Sequence, residues 1–374
     1  MSSAPAAGGR DQAIDILRGL ALVTITINHL TGFVFKAGLT GTPFPTLSHW
    51  GFSTAAEIFF LLSGYLVGAI YLRADRETRL DMFARRMFSR AGRLYLYNAA
   101  LFLAIVPLCL LSPQLARLSF FSYFIDGGGP AWLSFALVYL QPYCLEILAA
   151  YILLMIVAPL FAWGLVRQPL MAVGLSLLLW WCAYQFHWLK LPGGTPVGDW
   201  RWNFSPASWQ FLFFGALAAG RYRLLDHLRA RFLADSRWFL AAVALFAGLT
   251  LLFLAQAEFG FQVLWQSKVR VGPIRIIHAL SVCWVVLGLF WLRPSLQAAP
   301  WARWAAAIGA CSLQAFVASV VISYAAALIW LEFSPTYSAY ILLSIASAGA
   351  LVIFAQGHRL VSIRPAPVLT AQPA

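Results

Sequence analysis

Charge is scarce in this sequence. Only 10% of its 374 residues are Asp, Glu, Lys or Arg, against about a quarter in an ordinary soluble domain. That leaves too little polar side chain to cover a water-facing surface and excludes a soluble globular protein. Acidic residues are the scarcest, 13 against 26 Lys and Arg. The resulting net charge of +13 raises the question of nucleic acid. The arginines, however, sit in short connections between apolar runs, which is how membrane topology is written, so no nucleic-acid partner is expected. Cysteines are few: Cys109, Cys144, Cys182, Cys283 and Cys311, all in apolar stretches and without CxxC spacing. They read as small buried hydrophobes, so neither a metal site nor a disulfide is expected. The opening MSSAPAAGG has no cationic n-region, and the apolar run after it has no small-residue cleavage site, so no secretory signal is expected.

What the sequence has in quantity is apolar length, 61% of its residues. Since a helical span needs about 20 such residues, the chain reads as an all-α polytopic membrane protein. Ten transmembrane helices are expected, at 13–35, 52–72, 93–111, 136–163, 169–187, 205–220, 237–256, 274–292, 304–330 and 336–357. The sixth is short for a crossing. Residues 1–11 and the Pro/Ala-rich 359–374 read as disordered or flexible tails around an integral-membrane domain at 12–358. Connections 112–135 and 188–204 contain GGGP and PGGTP and read as turn-rich loops. With both termini cytoplasmic, 19 cations fall on inside segments and six outside, Lys36, Arg117, Lys190, Arg201, Lys268 and Arg270. That asymmetry is strongly positive-inside.

Ionisable groups in apolar spans are functional candidates by default. In DILRGLALVTITINH, Arg18 and His29 are eleven residues apart, about three turns plus 20°, so they share a helix face about 16 Å apart. Glu57 on the second span falls at the depth of His29 and is expected to meet it. Glu146, Trp209, Gln210, Arg275 and His278 fall in the same outer half, which suggests one polar cavity entered from outside that binds substrate. Arg85, Arg86, Arg90 and Arg93 in RRMFSRAGR make a basic floor with Arg18. A neutral imidazole held by a carboxylate can take a proton from a hydroxyl, and arginine forks suit phosphates. A ligand with a phosphorylated head, a long arm and a reactive end fits that order, as acyl-coenzyme A does. Arg275 is an expected cationic partner for an acidic group at the ligand's reactive end. The bland readings are a packing histidine, a carboxylate joining two helices, an Arg18–Asp15 interface pair and arginines serving topology alone. A secondary transporter with a proton relay is a further alternative, as is a non-catalytic membrane subunit.

The segments IDILRGLALVTITINHLTG, WGFSTAAEIFFLLSGYLVGAIY, FARRMFSRAGRLYLY, LQPYCLEILAAYILLMIVAPLF, NFSPASWQFLFFGALAAG and VGPIRIIHAL together resemble the OpgC proteins over about residues 10 to 325. That family is related to the type-three membrane acyltransferases. The resemblance implies a multi-pass protein of the bacterial inner membrane that transfers succinyl from cytoplasmic succinyl-CoA to hydroxyls of periplasmic glucans. It implies acyl-CoA as a co-substrate, with no tightly bound cofactor or metal. A sugar acceptor and membrane lipids are the partners, and a homodimer is compatible with it. Acetyl transfer to another extracytoplasmic polysaccharide is the nearest alternative. His29 is then the catalytic base, with Arg18, an SGY turn at Ser63 and the RRMFSR arginines as donor-binding elements. One departure stands out: where the family commonly reads GRHSL, this chain has GACSL, with Ala310–Cys311 replacing a polar pair.

Overall fold

A computed structural model describes residues 11–186, 193–196 and 202–363. Lys190, Arg201 and most of both expected tails lie outside the described residues. Among these residues fifteen α-helices follow one another: α1 (Gln12–Lys36), α2 (Ala55–Tyr71), α3 (Leu80–Leu111), α4 (Pro113–Leu118), α5 (Ser122–Asp126), α6 (Gly128–Ala136), α7 (Glu146–Arg167), α8 (Pro169–Gln185), α9 (Pro206–Arg221), α10 (Leu224–Ala234), α11 (Ser236–Phe259), α12 (Pro273–Leu292), α13 (Pro300–Ala310), α14 (Ser312–Phe333) and α15 (Tyr337–Ile363). Among the described residues the only β pairing is an isolated bridge, Leu140–Gly194. Among the described residues seven helices, α1, α3, α7, α11, α12, α14 and α15, are long and apolar enough to cross a membrane.

Helix starts are written locally. Asp11 caps α1 by accepting the Ala13 N–H at 2.9 Å. α8, α9, α12 and α13 each open on proline, which suits the first turn because its N–H has no helical partner there. α11 stops at Gly260, in the left-handed region at φ 70°.

α1 is the hub, with α2, α12, α13, α14 and α15 packed around it, whereas α11 fully buries only Ala242. Close approach depends on missing side chains. A Cβ on Gly19 would lie 1.9 Å from the Ala305 carbonyl oxygen, and one on Gly309 would lie 1.9 Å from that of Asp15, so α1 and α13 touch backbone to backbone. The GYLVG run does the same for α2 against α9: Cβ atoms on Gly64 and Gly68 would meet the Phe213 and Leu217 carbonyls. Small residues at such spacing are the usual means of joining helices in lipid.

Four sequence expectations are corrected. The span expected at 136–163 is helical only from Glu146; before it, residues 137–145 run as irregular backbone with Val138 and Cys144 at positive φ. Pro142 offers no N–H to a helix there. Apolar composition misled because this segment lines a cavity, where non-helical backbone is tolerated at membrane depth. The span expected at 304–330 breaks at Cys311 into α13 and α14. The connection 112–135 is three short helices rather than a loop. α3 begins at Leu80, so Arg85, Arg86 and Arg90 are on a helix of about 48 Å.

Candidate functional site

Two cavities lie along α1. The larger, about 690 Å³, is lined by His29 and Lys36 of α1, Tyr143, Cys144 and Glu146 at the head of α7, and Asn203 and Lys268 from two connections. The smaller, about 300 Å³, is lined by Arg18 of α1, Ser63 and Tyr71 of α2, Arg90 and Arg93 of α3, and Ser312 and Gln314 of α14. Ile147 and Phe316 line both, so an apolar partition stands where the sequence suggested one continuous polar chamber. Phe59, packed on Phe316 and edge-on to Tyr151, thickens it.

His29 sits at this partition, its ring edge-on to Phe316 with centroids 6.4 Å apart and tilted against Tyr143 at the same separation. Among the described residues its buried Nδ1 has no hydrogen-bond partner. A buried polar atom left without a partner is uncommon and marks the ring as a functional candidate. The expected His29–Glu57 pairing does not form. Glu57 closes a capping box at the start of α2, accepting from the Thr54 N–H at 2.9 Å and hydroxyl at 2.6 Å. Its other oxygen accepts from Arg275 Nε at 2.7 Å and also from Arg275 Nη2. Glu57 therefore joins α2 to α12, and Arg275 has its charge matched inside the protein.

Of the residues expected to bind substrate, Glu146 alone lines the His29 cavity, and Asn203 engages both its oxygens, through its N–H at 2.9 Å and its side-chain amide at 2.8 Å. Trp209 donates to the Val269 carbonyl at 3.2 Å. Gln210 ties α9 to α8 by two bonds to Ser176. His278 bonds Ser53 through Nδ1, 2.7 Å from the hydroxyl. These bonds tie neighbouring elements together, so depth along a span did not reveal which face each residue occupied.

The donor-side residues divide. Arg18 donates to the Ser312 hydroxyl and lies 3.9 Å from Asp15. Arg90, Arg93 and Ser63 join it around the smaller cavity. Arg85 and Arg86 do not line it; Arg86 lies over the Tyr71 ring, 5.1 Å from its centroid. Ser63 lies within α2, so the expected SGY turn is a turn of helix. The Ala310–Cys311 departure falls at the α13–α14 break, beside Arg18, with Ala310 on the cavity wall.

Sequence reasoning missed Lys36, Lys268, Tyr143 and Asn203. Lys36 was detectable, since it follows His29 by seven residues and shares its face. Lys268 is carried by a connection whose fold the sequence does not announce. Among the described residues, no group of three His, Cys, Asp or Glu is arranged to hold a metal ion.

An apolar helical bundle with a basic cavity and a histidine cavity on either side of a partition along α1 fits a multi-pass membrane protein. A family model described as OpgC protein matches residues 10–362. The chain belongs to the OpgC family, and membership implies membrane acyltransferase activity on glucans. No curated protein and no solved structure matches the chain.

Proposed function

We propose that this protein is a ten-span enzyme of the bacterial inner membrane, with both termini cytoplasmic, that moves succinyl from cytoplasmic succinyl-CoA to hydroxyls of periplasmic glucans. The observation that carries this reading is the placement of Arg18 and His29. One helix puts a guanidinium in one cavity and an imidazole in the other, with the partition of Ile147 and Phe316 between them. α2, α8 and α9 complete the ten. α2 and α8 are apolar but only 17 residues long, and α9 has 16.

In this reading Arg18, Arg90 and Arg93 hold the phosphates of the donor, and its arm passes between Ile147 and Phe316. His29 takes the proton of a sugar hydroxyl. The oxygen adds to the thioester carbonyl, and the tetrahedral adduct collapses with loss of the coenzyme A thiolate, which receives the proton from His29. Glu57 is a positioning residue, holding α12 against α2. General-base help is typically worth about 10²–10⁴-fold. Purified His29→Ala should therefore fold normally and lose most transfer, read as the succinyl mass gain on glucan. Normal transfer by a folded His29→Ala protein would overturn the mechanism. Succinyl carried on glucans of wild-type cells and absent from cells lacking the protein tests donor and acceptor together.

A further inference from the structure

Two lysines, Lys36 and Lys268, line the His29 cavity and rest against aromatic rings of its wall. Among the described residues, Lys36 and Lys268 have no ion-pair or hydrogen-bond partner. Lys36 Nζ lies 3.5 Å from the Tyr143 ring centroid and 5.2 Å from that of Phe120, and Lys268 Nζ lies 5.5 Å from that of Phe204. Glu146 is the one carboxylate on the wall among the described residues, and Asn203 already bonds both its oxygens. Two ammonium groups facing one engaged carboxylate make a chamber suited to an anion.

Their position says which anion. Arg18, His29 and Lys36 follow one another on α1 at intervals of eleven and seven residues. Seven residues return to within about 20° of the same face, about 10.5 Å further along. Helical side chains lean toward the N-terminus, so the Lys36 side chain reaches back toward His29. Lys268 is held from a different direction. Its loop is anchored by two indoles, Trp209 donating to the Val269 carbonyl at 3.2 Å and Trp180 to the Val271 carbonyl at 2.9 Å. On the acyltransferase reading the donor's arm crosses the Ile147–Phe316 partition to reach His29, whose cavity Lys36 and Lys268 also line. An acyl thioester arriving this way with its carbonyl at His29 puts the far end of the acyl chain among the lysines. An uncharged sugar entering from the open side has no need of two cations.

We propose that Lys36 and Lys268 bind the free carboxylate of a dicarboxylic acyl group while its thioester carbonyl lies at His29, and so select a charged donor over a neutral one of equal length. The proposal rests on the acyltransferase reading and assigns to these lysines the role the sequence had suggested for Arg275. Desolvation by the surrounding cavity wall lowers the Lys268 pKa from the ordinary lysine range, although the side chain itself is open to the cavity, and a bound carboxylate would restore the charged form.

The test compares initial rates of the purified protein with succinyl-CoA and with butyryl-CoA, which has four acyl carbons and no carboxylate, at saturating glucan. The wild-type protein should favour succinyl-CoA. Lys36→Gln and Lys268→Gln should each lower the succinyl-to-butyryl ratio of kcat/KM by about tenfold or more, the worth of a charged hydrogen bond. Lys268→Arg should retain the preference. A ratio unchanged in both glutamine variants, or two rates falling together, would overturn the clamp alone. A wild-type protein that transfers neither acyl group would overturn the acyltransferase reading and the clamp with it.

Discussion

Arg275 Nε donates to Glu57 at 2.7 Å, and both side chains are buried where α12 meets α2. Removing either partner strands a charge in an apolar bundle, which typically costs about 3–5 kcal/mol. Glu57→Gln and Arg275→Met are each expected to lower the temperature of thermal unfolding in detergent. The double variant should recover part of the loss, because neither charge is then left alone. A double variant less stable than both singles would show that the two side chains do not act as a pair. Arg275→Met should keep a preference for succinyl over butyryl while lowering the yield of folded protein.

That pair shows where sequence reasoning stops. The apolar runs, the all-helical class and the eleven-residue step from Arg18 to His29 were legible because each depends on spacing within one segment. Glu57 and Arg275 are 218 residues apart, and nothing local says that one answers the other rather than a histidine at similar depth. The irregular stretch at 137–145 was hidden for a related reason. Its residues are apolar enough for a span, and only the cavity it lines explains why its backbone is not helical.

Gly19 sets the distance between α1 and α13. A side chain there would drive its Cβ to 1.9 Å from the Ala305 carbonyl oxygen, and neither backbone can yield without shifting its helix. Gly19→Val is expected to separate the two helices and weaken the neighbouring hold of Arg18 on Ser312. The measurable results are less folded protein and, in what folds, a higher KM for succinyl-CoA. Wild-type yield and KM would show that the contact is dispensable.

Phe316 is the largest side chain common to both cavities. If the partition keeps water from the thioester, Phe316→Ala should raise the release of free coenzyme A thiol in the absence of glucan, since excluding water is what prevents hydrolysis of a reactive acyl group. Thiol appearance followed with and without acceptor measures this. Release that stays wholly dependent on glucan would assign water exclusion to other side chains.

The clamp also makes donor preference depend on pH. Lys268 is pulled below the ordinary lysine range chiefly by desolvation within the cavity wall and secondarily by Arg275, while Glu57, Glu146 and Cys144 oppose the shift. Only the protonated amine attracts a carboxylate, so the preference is complete below the Lys268 pKa and is lost as pH rises through it. The direction of the shift places that loss below the roughly 10.4 of a free lysine side chain. His29 and Lys36 of α1 share the cavity. His29 acts on both donors alike, so the succinyl-to-butyryl ratio isolates the lysines. The ratio should decline with rising alkalinity in the wild-type protein. It should decline less in Lys268→Arg, whose guanidinium stays charged, with the remaining fall traceable to Lys36. A ratio flat with pH in the wild type, or an identical decline in Lys268→Arg, would place the controlling charge elsewhere.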